Sequence, residues 1–380
     1  MPRILYLTIQ MDLMGGVARI VSEKANWLAC HGYDVTVCDI ENYPMRPYYP
    51  LDPSVKFRLG GIATTPGGMI TRLKGVLRMV SQLRRILDEE RPDVVINAHC
   101  PLVTWVLPMM KYLARGTERK HPSMIMEIHQ SRQGLDVFNQ RFMSPMGRWV
   151  HSWAIRWIYG CYDRFVVLTN GDREQWRLRN CVVIPNFIKI SSVSTDNTSS
   201  KSALSQPKRQ ILLLARLMPQ KRIDLMIRIW SRLAPDFPDW QVKVLGDGRE
   251  RENLEQQVRD AGLASSFLLP GQVKDVRPEL ACSDIFCLTS EYEGFGIVLI
   301  EAMLARVPVM AFEYVGVHDI IDDGQSGYII PFGDVDAYAA RLRQLMTSAD
   351  ERNRLVTNAQ VAVLKFEQDN VMQQWKELIG

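Results

Sequence analysis

The sequence lacks several features that would place it at once in a particular class of proteins. Its seven cysteines form no C-x-x-C pair, and several lie in predicted strands or helices, which indicates reduced core cysteines rather than a disulfide framework or a metal cage. No apolar run is long enough to span a bilayer, and the first residues do not follow the order of a signal peptide. We therefore expect a cytoplasmic protein.

Neither basic nor acidic residues are in marked excess. The chain has 46 basic and 42 acidic residues, and its formal charge of +4 is too small to indicate a nucleic-acid partner. No nucleic-acid-binding motif is present, and the G-x-G-x-x-G dinucleotide fingerprint is missing as well. With 380 residues, 47% of them hydrophobic and 23% charged, the chain has the composition of a globular protein and a length that suits two domains.

The most informative stretch that is present lies shortly before Pro308. A short apolar strand, Asp284 to Leu288, leads into a turn with two glycines, Gly294 and Gly296, and then into an apolar helix that must end before the proline. A helix N-terminus presents free backbone N–H groups and the positive end of the helix dipole, and glycines let an anion approach them. The turn is therefore a candidate phosphate site.

Two glutamates flank this turn. Glu293 stands just before it and Glu301 lies inside the apolar helix, with seven residues between them, so both can face the same bound molecule. A carboxylate in an apolar setting needs hydrogen-bond donors or a cation. For Glu301 the partner is either the hydroxyl groups of a ligand or a structural Lys or Arg, and the residues alone leave both open.

The run EGFGIVLIEAM, followed by PVMAF, resembles the paired-glutamate signature of retaining glycosyltransferases of family four, which have the two-domain GT-B fold. The resemblance implies that Glu293 contacts the donor sugar in catalysis and that Glu301 holds the ribose hydroxyls of the nucleotide. Arg306 stands where the family usually has glycine, at the helix end away from the ligand. The resemblance also assigns the turn itself to donor binding: Gly294, Phe295 and Gly296.

A second part of the same resemblance comes earlier in this half of the chain. The predicted strand Gln210 to Ala215 is followed by Arg216 and Lys221 at a strand-to-helix turn, where two cations converge on a helix N-terminus. They are either a surface charge pair or, as the family's R-x4-K arrangement implies, a catalytic clamp on the donor pyrophosphate. Four further positions are implied to contact the donor: Gly246, Gly271, Gln272 and Val273.

The first half of the chain also reads as strands, glycine turns and helices. A strand from Arg3 to Ile9, the pair Gly15 and Gly16, and a helix from Val17 to Cys30 begin a βαβ series, which predicts a parallel sheet. The glycine pair is either a plain tight turn or, by resemblance, a loop near the donor phosphates and the acceptor. His129 follows a strand at the edge where α/β folds bind ligands, and it is either structural or, by resemblance, a catalytic contact to the donor sugar.

Two side-chain patterns favour structural roles. Trp149, Trp153 and Trp157 recur at intervals of four on one face of a predicted helix, and we predict that this aromatic stripe packs in the core. Asp334 and Asp336 resemble a metal motif only superficially, and their place before a helix predicts capping.

A long basic helix is predicted from Met69 to Glu90. Its first 18 residues or so alternate apolar side chains with cations, and no acid appears before Asp88. This face is either an ordinary solvated surface or a surface that binds anionic lipid. We expect peripheral membrane binding through it. The cations concerned are Arg72, Lys74, Arg78, Arg84 and Arg85.

The predicted architecture is α/β: two Rossmann-like parallel-sheet domains that face each other across a cleft, as in the GT-B fold. We expect an acceptor-binding domain over residues 1–190, a serine-rich linker over 191–208 and a donor-binding domain over 209–355. The last segment, 356–380, is predicted to be helical and to cross back to the first domain.

The predicted function is transfer of a sugar from a nucleotide-sugar, UDP-linked, to a hydroxyl group with retained anomeric configuration. The expected acceptor is a lipid-linked or cell-surface glycan precursor at the inner face of a membrane, and no metal cofactor and no nucleic acid are expected. Three alternatives stay open: a nucleotide-sugar epimerase or a sugar phosphorylase on the same fold, and a non-catalytic subunit that binds a nucleotide-sugar.

Overall fold

The computed structural model describes residues 1–13, 15–40, 46–61, 69–98, 100–113, 121–189 and 209–380. Two compact units make up the chain. One comprises Met1–Pro185 together with Met372–Gly380, and the other comprises Asn186–Val371. The linker predicted over 191–208 lies outside the described residues.

The first unit is built on a parallel sheet of seven strands in the order β3-β2-β1-β4-β5-β6-β7. In strand β1 all side chains after the first residue are buried, as expected for a parallel strand that is covered on both faces. The strands are β1 (Arg3–Thr8), β2 (Asp34–Asp39), β3 (Lys56–Leu59), β4 (Val94–Ala98), β5 (Ser123–Glu127), β6 (Arg164–Val167) and β7 (Cys181–Val183).

Helices connect these strands and cover both faces of the sheet. Leu5 and Leu7 point to one face and pack there with the inner sides of α2, α4 and α6. Tyr6 points to the other face because side chains alternate along a strand, and α1 lies on that face. The helices are α1 (Gly16–Cys30), α2 (Met69–Glu90), α3 (Pro101–Thr104), α4 (Val106–Leu113), α5 (Arg132–Phe142), α6 (Pro145–Gly160) and α7 (Asn170–Trp176).

The second unit repeats this plan with a six-stranded parallel sheet in the order β10-β9-β8-β11-β12-β13. Its strands are β8 (Arg209–Leu214), β9 (Trp240–Leu245), β10 (Phe267–Gly271), β11 (Ile285–Leu288), β12 (Val309–Phe312) and β13 (Tyr328–Ile330). Its helices are α8 (Ile223–Leu233), α9 (Arg251–Asp260), α10 (Arg277–Ala281), α11 (Ile297–Leu304), α12 (Val335–Thr347), α13 (Ala349–Ala362) and α14 (Gln368–Ile379).

Helix α14 begins in the second unit, and its residues from Met372 onward belong to the first. The two parallel sheets with their helices confirm the predicted fold class. Among the described residues, no helix combines the length and the apolar character that crossing a bilayer requires.

The two local predictions for side chains had different outcomes. Capping by Asp334 is confirmed, because its carboxylate accepts a hydrogen bond from the Ala337 N–H at the start of α12. The core position of the tryptophan stripe is wrong. Trp149, Trp153 and Trp157 are 72%, 62% and 53% exposed, because α6 turns its other side to the sheet.

Candidate functional site

The donor-binding residues predicted in the second half of the chain lie at one edge of the second sheet or in the helix that follows it. Strands β10, β9, β8 and β11 are parallel neighbours in that order, so their carboxyl ends lie side by side. Ligands of α/β folds bind at this edge. Each strand end carries predicted residues: Gly271, Gln272 and Val273 at β10, Gly246 after β9, Arg216 and Lys221 after β8, and Glu293, Gly294, Phe295 and Gly296 after β11.

The turns after β8 and β9 are packed backbone to backbone. Gly246 has a φ of +144°, and a Cβ there would lie 2.0 Å from the carbonyl oxygen of Ala215. The Gly246 N–H donates to the Gly271 carbonyl over 2.9 Å, which joins the neighbouring turn after β10. The Arg251 guanidinium donates to the Gly246 carbonyl from the outside. The backbones of these turns therefore pack directly against each other, and only glycine fits at the point of closest approach.

The turn before α11 also requires glycine. Gly296 has a φ of +97°, and a Cβ at this position would lie 2.2 Å from the hydroxyl oxygen of Tyr314. That hydroxyl donates to the Phe295 carbonyl over 3.0 Å and fixes the turn. The Phe295 side chain is buried against Phe366. Only the backbone of Phe295 can therefore contact a bound donor substrate. The first N–H groups of α11 are thus held in place, as anion binding requires.

Glu293 and Lys221 form a partly buried ion pair. Lys221 Nζ lies 2.6 and 2.8 Å from the two carboxylate oxygens of Glu293, and the side chains are 19% and 12% exposed. Ser290 Oγ donates to the same carboxylate over 2.7 Å, and Thr289 Oγ1 donates to the Lys221 carbonyl. Two residues selected from separate motifs thus contact each other, and hydroxyl groups hold both turns in register.

Arg216 and Glu301 lie on either side of this pair in the chain. The Arg216 side chain is exposed at the end of β8, where a ligand can reach it. The residues next to Glu301 in α11 are buried, but Glu301 itself is only half-buried. The prediction of a buried carboxylate at this position is therefore wrong. Arg306 has a φ of +61°, the left-handed region that favours glycine, which accounts for the usual residue at this position in the resembling family.

In the first unit, the glycine pair leads into α1. Gly15 is the residue before the helix and has an extended backbone with a φ of −158°. A Cβ at Gly15 or Gly16 would meet no atom of the described chain within 4 Å. Among the described residues, neither the backbone conformation nor the packing requires glycine here, and the role of the pair near the donor phosphates stays a prediction.

His129 follows β5 and lies beside two residues that the sequence analysis missed. The Glu127 carboxylate and the Lys24 ammonium form an ion pair, and both side chains are at most 1% exposed. His129 Nε2 lies 3.1 Å from Glu127 Oε1. Lys24 Nζ also lies 3.9 Å from the centre of the Trp375 ring, within cation–π range. This cluster joins α1, β5 and α14 within the first unit.

The charges in this cluster depend on one another. Burial raises the pKa of Glu127, but the charges of Lys24 and His129 outweigh it and hold this pKa at about 2. Burial lowers the pKa of Lys24, and Glu127 opposes that shift. Burial and the nearby Glu127 charge raise the pKa of Tyr6 well above its ordinary value. Glu127 is therefore an ionised carboxylate at the end of an apolar strand, and it lies beside the His129 imidazole.

The sequence carries one signal for this pair. Lys24 interrupts the apolar side of a predicted helix, and Glu127 interrupts an otherwise apolar strand. A single ionisable residue on a core face needs a partner. The sequence does not predict that Lys24 and Glu127 pair with each other, because 103 positions separate them in the chain.

Comparison with known proteins agrees with this geometry. A model for the glycosyl transferases group 1 matches residues 194–362, and a model for glycosyltransferase family 4 matches residues 14–192. A 2-deoxystreptamine N-acetyl-D-glucosaminyltransferase from Niallia circulans is 32% identical over 92% of this chain and 90% of its own. The chain belongs to glycosyltransferase family 4.

Two further comparisons cover almost the whole chain. The GalNAc-alpha-(1->4)-GalNAc-alpha-(1->3)-diNAcBac-PP-undecaprenol alpha-1,4-N-acetyl-D-galactosaminyltransferase of Campylobacter jejuni is 28% identical over 96% of this chain and 95% of its own. The solved structure of Anabaena HepE in complex with UDP aligns with a TM-score of 0.75 over 99% of both chains, at 18% identity. At this identity the structural likeness concerns the fold, which is GT-B.

Gly296 offers a direct test of the turn before α11 in this glycosyltransferase. Replacing an ordinary left-handed glycine by alanine lowers the free energy of unfolding by roughly 1 kcal/mol. Gly296→Ala is expected to lower it by more, because the new Cβ would collide with the Tyr314 hydroxyl. Gly262→Ala is the control, since Gly262 has a φ of +66° but open space around its Cβ. Urea unfolding measures both, and combining Gly296→Ala with Tyr314→Phe should recover part of the loss. Equal losses at both glycines would show that the contact with Tyr314 does not matter.

Proposed function

We propose that this glycosyltransferase transfers a hexose or N-acetylhexosamine from a UDP-sugar to a hydroxyl acceptor, with the anomeric configuration retained. The observation that carries the proposal is the edge of the second sheet, where the Lys221–Glu293 pair, Arg216 and the N-terminus of α11 surround glycine turns. The family relation supports the reaction class, and the UDP bound to Anabaena HepE supports the nucleotide.

The leaving group of this reaction is a nucleoside diphosphate, whose negative charge grows as the bond to the sugar breaks. An ammonium group has three hydrogen-bond donors, and the pair with Glu293 occupies two of those on Lys221. The third, together with the exposed Arg216 guanidinium, suits a phosphate oxygen. The N–H groups of α11 add fixed positive potential, and such preorganised groups stabilise charge without a metal ion. We propose no metal cofactor for this reaction.

Retention is proposed to occur by attack from the same face. The C1–O bond to the phosphate breaks with its electron pair on the phosphate oxygen, and the acceptor oxygen bonds to C1 on that face. The acceptor proton passes to the departing phosphate oxygen. Glu293 supports this route rather than a covalent one, because a carboxylate held by Lys221 and Ser290 is a weak nucleophile. In this proposal Glu293 and His129 contact the sugar, and Glu301 holds the ribose.

The proposed acceptor is a glycan precursor in polysaccharide or lipopolysaccharide biosynthesis, linked to a lipid at the cytoplasmic face of a membrane. The Campylobacter relative is named for an undecaprenol-linked acceptor, which supports this class. Helix α2 supports peripheral binding to anionic lipid, because Arg78, Arg84 and Arg85 are exposed on it. The side chains of Arg72 and Lys74 lie outside the described residues. No nucleic-acid partner is proposed.

Incubation with a panel of labelled nucleotide-sugars and lipid-linked or soluble acceptors tests the proposal, with EDTA present and again with added magnesium. We expect a UDP-sugar to be consumed, a glycoside of retained configuration to form, and EDTA to leave the rate unchanged. A product that is an epimer or a free sugar phosphate would replace the transferase with an epimerase or a phosphorylase. Binding without turnover would indicate a non-catalytic subunit. A rate that is lost in EDTA and restored by magnesium would contradict the metal-free mechanism.

A further inference from the structure

Helix α6 turns three tryptophans to solvent. Trp149, Trp153 and Trp157 are 72%, 62% and 53% exposed, and Met146 and Val150 on the same helix are 77% and 49% exposed. We call these five residues the aromatic face. The opposite side of α6 is anchored in the core by Ile155, Ile158 and Tyr159. Contiguous apolar surface of this kind marks an interaction site, since single exposed side chains are ordinary but clusters are not.

The aromatic face has apolar neighbours on the same side of the first sheet. Helices α2, α4 and α6 bury their inner sides in one cluster there, so their outer sides face solvent in the same direction. On α2, Val76 and Leu77 are 44% and 62% exposed. Trp105 is 39% exposed just before α4, and Met109 on α4 is 53% exposed. The aromatic face is therefore the densest part of a broader apolar side of the first unit.

The charged side chains of α6 itself are basic. The 16 residues of α6 include Arg148 and Arg156 and no acidic residue. Arg78 and Arg84 are exposed on α2, close in sequence to its exposed apolar pair. A surface that combines tryptophans with cations is complementary to the headgroup layer of an anionic bilayer, where indole rings place their apolar body inward and their N–H in the wet layer.

We propose that the aromatic face of α6 inserts into the interface of an anionic lipid bilayer and anchors the first unit there. The inference rests on the proposed function, because a lipid-linked acceptor requires the enzyme to work at a membrane. It adds an apolar anchor to the electrostatic attraction of α2, since apolar insertion and charge act together in peripheral binding.

A second copy of the chain fits this face less well. A two-fold dimer would place the same patch of both copies face to face, and Arg148 and Arg156 would then oppose arginines with no acid of α6 between them. Anionic lipid neutralises those charges, whereas a second aromatic face does not.

Hydrogen bonds connect the aromatic face of α6 to the helix that follows His129. Helix α5 begins at Arg132, shortly after His129, and the Arg132 guanidinium donates to Ser152 Oγ in the middle of α6. Asn139 of α5 and His151 of α6 join the two helices again, with their nitrogens 3.1 Å apart. The insertion of α6 would therefore set the orientation of His129 relative to the bilayer.

Vesicle sedimentation and tryptophan quenching test the proposal on the full chain. We expect the protein to bind phosphatidylcholine vesicles that contain phosphatidylglycerol, and brominated acyl chains in those vesicles to quench its fluorescence. The variant Trp149→Gln, Trp153→Gln, Trp157→Gln should bind roughly tenfold more weakly or worse, because the inserted area is lost. The matched control is Val361→Gln, Leu364→Gln, which removes two exposed apolar residues of the second unit and should bind like wild type.

The triple variant should fold, because the substituted side chains are exposed. Thermal melting and UDP affinity check that it does. Wild-type protein that stays in the supernatant at low salt would overturn the inference, as would equal binding of wild type and the triple variant. A dimer in light scattering that the triple variant loses, without quenching by brominated lipid, would also overturn it in favour of a second copy. Vesicle binding does not depend on turnover, so a protein that binds and is quenched but consumes no UDP-sugar contradicts only the proposed function.

Discussion

Glu293→Ala is expected to lower sugar transfer by about a hundredfold or more while UDP binds as tightly as before or more tightly. Glu293 holds Lys221 through both carboxylate oxygens, and its removal leaves the ammonium free for the diphosphate while the proposed contact to the sugar is lost. Glu301→Ala is expected to act in the opposite way, with weaker UDP binding, because Glu301 is assigned to the ribose. Calorimetry with UDP and a transfer assay with the UDP-sugar separate the two effects.

Two further variants calibrate this result. Ser290→Ala removes one hydrogen bond to the Glu293 carboxylate and should reduce transfer by a smaller factor. Glu313→Ala removes an exposed acid of the same unit, whose neighbour is His318, and should change neither quantity. If Glu293→Ala and Glu301→Ala weaken UDP binding equally, the division of roles between them is wrong.

Lys24→Met and Glu127→Gln are each expected to lower the free energy of unfolding by roughly 3–5 kcal/mol, because each leaves the other charged or polar group buried without its partner. Combining Lys24→Met with Glu127→Leu should recover much of that loss, since an apolar pair of similar volume replaces the ion pair. Urea unfolding measures these differences. Lys56→Met with Asp34→Leu is the control, because that pair is 61% and 45% exposed and should contribute less than about 1 kcal/mol.

The same pair predicts a dependence on pH. The pKa of Glu127 is about 2 in the folded protein, below its ordinary value of 4.5, so its ionised form stabilises the fold above about pH 4.5. This contribution is lost as the pH falls from about 4.5 to 2, because the unfolded chain takes up a proton first. Wild type should therefore lose stability more steeply over this range than Glu127→Gln. Parallel curves for the two proteins would show that Glu127 is not held ionised by Lys24.

The buried pair also tests the position of His129. If Glu127 orients the imidazole, Glu127→Gln at a temperature where the protein is folded should lower transfer and shift its pH profile. A purely structural role would change stability and leave the profile where it was.

Features with a local cause could be predicted from the residues alone. Apolar strands, glycine turns and the stop at Pro308 follow from steric limits on the backbone and from periodic burial, so the two parallel sheets were predictable. The position of Glu293 before the turn and of Gly296 at the start of α11 was predictable too, because neighbouring residues in the chain impose it. The spacing of Arg216 and Lys221 belongs to the same class.

Which distant residues meet, and which surfaces stay open, depends on the tertiary fold. Lys221 and Glu293 are 72 positions apart, and their contact depends on β8 and β11 being neighbours in the sheet. Lys24 and Glu127 are 103 positions apart and meet because α1 covers the face to which Glu127 points. A four-residue interval places Trp149 and Trp153 on one side of a helix but does not say whether that side is covered. That depends on how α6 lies on the sheet, since burial is a property of the packed neighbours and not of the spacing.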